Sequence, residues 1–113
     1  MTANFGEIYL VKFYPSTGKE FSKMRPAMVI QMSDVSKKSP YITVVPISSK
    51  TETLSTEDVY LPMDKKNNLQ KDSVIKVHQI SSFDTKRFIK KIGETNSPIN
   101  RKVRGYLRKH FGF

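Results

Sequence analysis

The sequence predicts a mainly-β fold, a small β-barrel with short helices and a C-terminal amphipathic helix. Three observations lead there. Apolar runs of strand length, rich in β-branched and aromatic residues, follow one another as far as Ile80. Polar turn clusters separate them, which favours a barrel or sandwich over alternating strand–helix units. Beyond Ile80 the spacing becomes helical. With 113 residues there is enough chain for one hydrophobic core, so a single domain over residues 1–113 is expected.

In chain order, Glu7 to Tyr14 reads as the first strand and stops at the turn-forming Pro15-Ser16-Thr17-Gly18. Ala27 to Met32 is the second apolar run, Tyr41 to Ile47 the third, Val59 to Leu61 the fourth and Ser73 to Ile80 the fifth. Lys65-Lys66-Asn67-Asn68 is a polar connection between the last two. Asp84 is placed to cap a short helix through Lys91, with Phe88 and Ile92 on one face and Gly93 ending it. Ser97-Pro98 then reads as an N-cap followed by proline at the first helical position, and Ile99, Val103, Leu107 and Phe111 recur every four residues. That stripe is expected on the barrel, with Arg101, Lys102, Arg104 and Arg108 facing elsewhere. Gly105 in its middle costs about 1 kcal/mol relative to alanine.

Composition excludes several function classes. No apolar run approaches the length of a membrane span, so no membrane partner is expected. There is no cysteine, hence no disulfide framework and no thiolate metal site. The N-terminus has no basic segment followed by a long apolar one, which fits a cytoplasmic location. The net charge is +10, and its distribution says more than its size: from Lys86 onward nine Lys and Arg face only Glu94, leaving net +8 in that stretch. Such a cluster either neutralises phosphates or forms a solvated helix face.

No metal-ligand pattern is visible. His78 and His110 are far apart, no His-Glu-x-x-His occurs, and the five glycines are isolated, so neither a metal nor any other cofactor is expected. Phosphodiester cleavage without metal requires a substrate that supplies its own nucleophile. RNA does so through its 2′-hydroxyl, leaving the protein to move protons and to place positive charge around the phosphorane oxygens.

Five segments carry a resemblance. Gly6-Glu7-Ile8-Tyr9, then Gly18 with Glu20, Arg25-Pro26-Ala27-Met28-Val29-Ile30, Val45-Pro46-Ile47-Ser48, and His78-Gln79-Ile80 with Arg87 and Gly93 resemble, in order and spacing, the core segments of the PemK/MazF toxins. The resemblance implies an SH3-like/CcdB-like barrel. It also implies an mRNA interferase of a type II toxin-antitoxin system, a homodimeric endoribonuclease that cuts single-stranded RNA sequence-selectively and leaves a cyclic phosphate and a 5′-hydroxyl. Its expected partner is a cognate antitoxin with an acidic C-terminal segment. A related barrel that poisons a protein target such as a topoisomerase, and a non-catalytic RNA-binding module, are the alternatives.

The candidate catalytic residues are Arg25, Ser48 and His78. The family's matching arginine is catalytic, and a guanidinium's fixed fork suits phosphate oxygens that gain charge; the plain alternative is a loop arginine paired with Glu20. Ser48 stands where the family has threonine or serine, able to hold a phosphate oxygen or the attacking hydroxyl, or simply to bond its own backbone. His78 stands where relatives carry an acidic residue. Its ordinary pKa of about 6.5 suits proton transfer, although a histidine filling a strand position is the alternative. Glu20, Lys76, Ser49 and Gln79 are the candidate substrate contacts, Lys76 being expected on the same strand face as His78. Glu20 and His78 are the plausible proton carriers. Ser81 replaces a residue that is often basic in the family.

Overall fold

A computed structural model describes residues 1–13, 24–52 and 54–113. Seven strands and two α-helices follow in the order β1 (Glu7–Lys12), β2 (Met24–Val29), α1 (Ser33–Ser36), β3 (Tyr41–Ser48), β4 (Asp58–Leu61), β5 (Ser73–Lys76), β6 (Ser81–Asp84), β7 (Phe88–Glu94) and α2 (Ser97–Phe111). The strands pair antiparallel in the order β4-β5-β3-β2-β1-β7, with β6 also on β3. The mainly-β expectation therefore holds. Glu20 and the Pro15-to-Gly18 turn lie outside the described residues, and among those described no helix is long and apolar enough to cross a membrane.

β3 serves two neighbours along one edge. Tyr41 to Val44 pair with β6, whereas Ile47 and Ser48 pair with β5. Pro46 sits at the handover, where that edge has no partner to which a proline would owe a ladder N–H. On the other edge Val44, Val45 and Pro46 face Val29, Met28 and Ala27 of β2.

Both faces of the sheet are covered. Ile8, Met28 and Val45 lie directly opposite one another across three strands and join Ile75 of β5 with Ile99 and Val103 of α2 in one buried cluster. The other face buries Val11, Ala27, Val29, Ile42 and Val44 beneath Tyr9, Phe13, Phe83 and Phe88. Full burial of each such side chain contributes about 1.5–3 kcal/mol. Two-sided burial also explains why these strands appear in the sequence as continuous apolar runs instead of alternating ones.

Four expectations are corrected. The helix from Asp84 to Lys91 is one 3-10 turn, Thr85–Arg87, followed by β7. Asp84 does cap that turn, accepting the Lys86 N–H at 2.8 Å. The spacing of Phe88 and Ile92 suits strand as well as helix, and two register shifts against β1 break the alternation that would have revealed a strand. The fifth strand ends at Lys76; Val77 and His78 form a turn into β6, a strand that short, polar Ser81-Ser82-Phe83-Asp84 does not announce. Asn96, not Ser97, caps α2, its side chain accepting the Ile99 N–H at 2.9 Å. Finally, only Ile99 and Val103 of the helical stripe are buried; Phe111 is 54% exposed, and Gly112 at φ 75° ends the helix there.

Candidate active site

The β2–β3 register, carried on by two residues, sets Arg25 across from Ser48. Both line one cavity of about 770 Å³. Its floor is a row across the sheet: Lys90 of β7 faces Leu10 of β1, which faces Pro26 of β2. Ser49 and Lys50 continue the β3 side, and residues Asn68 to Lys71, from the β4–β5 connection, form a further wall. Ser48 Oγ accepts the Lys50 N–H at 3.1 Å, which leaves the hydroxyl proton available to a substrate oxygen.

Positive charge dominates this cavity. Arg25, Lys50, Lys71, Lys90 and Lys91 line it, and among the described residues none of its lining side chains is a carboxylate. Lys91 is held from behind: its Nζ lies 3.1 Å from Glu7 Oε2 and 3.6 Å from Glu94 Oε2, and the Glu7 contact raises its pKa. Burial would raise the Glu7 carboxyl, but the Asn4 backbone N–H and the Lys91 ammonium outweigh it and hold it below the ordinary carboxylate value. A concave surface that collects cations over an apolar floor suits a phosphodiester chain with its bases. Lys50, Lys71 and Lys90 were not legible as site residues in the sequence. Sheet register and a long connection bring them in, and neither is a local signal.

The remaining candidates gather elsewhere. Lys76 Nζ lies 2.9 Å from Asp58 Oδ2, and His78 Nδ1 lies 3.8 Å from Asp58 Oδ1, whose side chain is fully buried. Neither Lys76, His78 nor Gln79 lines the Arg25 cavity. Gln79 is exposed in the turn, its N–H bonded to the Lys76 carbonyl at 3.0 Å. Lys76 and His78 thus both lie at Asp58, although the strand that was to put them on one face ends at Lys76. Burial raises the Asp58 carboxyl; the Ser55 backbone N–H and Lys76 more than offset this and keep it below the ordinary value. Among the described residues no group of His, Cys, Asp and Glu is arranged to hold a metal ion.

The basic C-terminal stretch divides its work. Lys90 and Lys91 serve the Arg25 cavity, Lys102 and Lys109 line a smaller one of about 370 Å³ between β4 and α2, and Arg104 lies over the Phe5 ring at 4.0 Å. Arg87 donates to the carbonyls of Lys12 and Phe13 at the end of β1.

A family model described as PemK-like, MazF-like toxin of type II toxin-antitoxin system matches residues 4–111. The chain belongs to this family. Its MazF-like fold recurs in solved structures. MazF from Deinococcus radiodurans superposes with a TM-score of 0.80 at 22% identity, covering 100% of this chain and 99% of that one. Toxin MazF-mt6 from Mycobacterium tuberculosis gives 0.72 at 19% identity, over 95% and 97% of the two chains. An endoribonuclease in complex with its cognate antitoxin, from a mycobacterial species, gives 0.72 at 12% identity over 99% and 95%. At such identities the likeness is one of fold. Within this PemK/MazF-like chain, the candidate catalytic residues Arg25 and Ser48 line a cavity together with their segment neighbours Pro26 and Ile47.

Proposed function

We propose that this toxin is an endoribonuclease that cuts single-stranded messenger RNA sequence-selectively, through attack of the substrate's own 2′-hydroxyl and without a metal ion. The observation that carries the reading is the convergence of Arg25 and Ser48 in a cavity with four lysines. Arg25 stabilises the charge that gathers on the non-bridging oxygens as the phosphorane forms. Ser48 holds an oxygen of the reacting phosphate or the attacking hydroxyl in line. The products are a 2′,3′-cyclic phosphate and a 5′-hydroxyl. Ser49 and the lysines hold the flanking strand. Proton transfer falls to Glu20 on sequence grounds, since it is the carboxylate nearest Arg25 in the family segment; arginine is too basic and serine too weak an acid to serve. Lys76, His78 and Gln79 enter only if their own substitution changes cleavage. The chain acts in the cytoplasm as a homodimer, silenced by an antitoxin whose acidic segment competes for the same cationic cavity; the complexed mycobacterial relative supports an antitoxin partner.

The test is cleavage of a purified long single-stranded RNA in excess chelator. Cutting is expected to persist, and Arg25→Ala is expected to slow it by a factor on the order of a hundred or more, with a smaller loss for Ser48→Ala. Restoration by magnesium of a chelator-abolished activity would overturn the substrate-assisted route, and a folded Arg25→Ala protein at the wild-type rate would remove Arg25. RNA that is bound yet never cut would favour the non-catalytic module.

A further inference from the structure

The connection from β4 to β5 is clamped at one buried asparagine. The Asn67 backbone N–H donates to Asp64 Oδ1 at 2.6 Å, and the Asp64 N–H donates to Asn67 Oδ1 at 3.0 Å, the reciprocal exchange that caps a helical turn. The same Oδ1 accepts the Leu69 N–H at 3.0 Å, while Asn67 Nδ2 donates to the Pro62 carbonyl at 2.9 Å. Each polar atom of this side chain is thereby bonded, as burial requires.

The clamp is docked onto β7 at a glycine. A Cβ on Gly93 would stand 2.5 Å from the Lys66 carbonyl oxygen and 2.6 Å from that of Asn67, so this contact tolerates no side chain. Two bonds tie the pieces together: the Glu94 N–H to the Lys66 carbonyl at 3.1 Å, and Asn68 Nδ2 to the Ile92 carbonyl at 3.3 Å. Asn68 takes φ 58°, a left-handed conformation that asparagine adopts at small cost. The residues leaving the clamp, Asn68 to Lys71, are the wall of the Arg25 cavity.

We infer that Asn67, seated against Gly93, is a positioning residue that fixes the Asn68–Lys71 wall relative to Arg25 and Ser48 and so sets how tightly a single RNA strand is held in the cavity. The inference rests on RNA being the substrate. Gln70 and Lys71 line the cavity with an amide and an ammonium; contacts they make to the strand outside the reacting phosphate bind ground state and transition state alike. Such uniform binding appears in KM and not in kcat.

The experiment is steady-state cleavage of a short single-stranded RNA by wild type, Asn67→Ala and Asn67→Asp, with amide hydrogen exchange followed in the same preparations. Asn67→Ala strips the acceptor from the Asp64 and Leu69 N–H groups; a KM raised about tenfold with kcat changed less than about threefold is expected. Asn67→Asp keeps that acceptor but puts a carboxylate oxygen where the donor to the Pro62 carbonyl stood, so only part of the rise should be reversed. Exchange across Asn68 to Lys71 should quicken in the alanine variant and much less in the aspartate one. Should Asn67→Ala not fold, Asp64→Ala, outside the cavity lining, removes the acceptor of the Asn67 N–H and should raise KM alone. A folded variant with wild-type KM, or one losing kcat at unchanged KM, overturns the assignment. If the wild type cuts no RNA, the cleavage reading fails by itself, and unchanged exchange in Asn67→Ala would separately refute the clamp.

Discussion

Arg25 and Ser48 line one cavity from adjacent strands, whereas Lys76, at the end of β5, and His78, in the turn after it, both lie outside that cavity. Reading Ser73 to Ile80 as one strand put His78 two residues beyond Lys76 on a common face; the strand ends at Lys76, and both side chains lie at Asp58. We therefore expect His78→Gln to retain the wild-type cleavage rate and pH profile, measured in single turnover. Loss of an inflection near neutral pH would put the imidazole into the reaction. Asp58 supplies a pH prediction of its own. Its carboxyl is held below the usual value in the fold, so its stabilisation is complete above the unfolded value of 3.8 and disappears as pH falls through the lower folded value. Asp58→Asn should lower the melting temperature near neutral pH, and the gap to wild type should close on acidification below that value. A gap that stays constant across the titration would show that the charge on Asp58 contributes nothing.

At the level of elements, apolar runs were the legible signal: they mark β1, β2, β3, β4 and β5 to within a few residues. β7 escaped because Ile89 and Ile92 are left out of register with β1, so Phe88-Ile89-Lys90-Lys91-Ile92 shows no clean period of two. α1 has only four residues; what secures it is a contact distant in sequence, the buried Ser36 hydroxyl donating to the Ala3 carbonyl at 2.7 Å. α2 was predicted in place, with its cap one residue early at Asn96, and Gly105 in its middle has nothing within 4 Å of where a Cβ would lie. Gly105→Ala should accordingly raise stability by roughly 0.5–1 kcal/mol, a melting shift of about 4 °C. A calorimetric scan showing no shift or a drop would mean that the glycine backbone has a partner that an alanine disturbs.

For the molecule as a whole, the motif-bearing half of the site could be read from sequence and the electrostatic half could not. Arg25 and Ser48 lie in short recognisable segments, whereas Lys50, Lys71 and Lys90 come from three separate stretches that only the folded sheet assembles. The charge excess from Lys86 onward was open to two readings, and the fold divides it: Lys90 and Lys91 line the cavity, while Arg101 and Arg108 are exposed on α2. If four or five cavity cations each meet a phosphate, affinity for a non-cleavable oligonucleotide should fall with salt at a log–log slope of about −3. Fluorescence anisotropy across a potassium chloride series measures it, and a slope near zero would remove the phosphate track from the proposal.

The two register shifts in β7 have one more effect. Among the described residues β7 ends the sheet's pairing order; the β4–β5 connection already takes its Glu94 N–H and Ile92 carbonyl, and a terminal strand's remaining amides and carbonyls are what an extended chain would pair with. Here Ile89 and Ile92 interrupt the regular spacing of those groups, and Lys90 and Lys91 between them place like charges where a second copy's lysines would have to stack. An incoming strand would find neither a continuous ladder nor a neutral surface. The residues that narrow one side of the cavity also make this edge a poor template for fibril growth, so a concentrated stock should fail through loss of fold before it fails through edge-to-edge association.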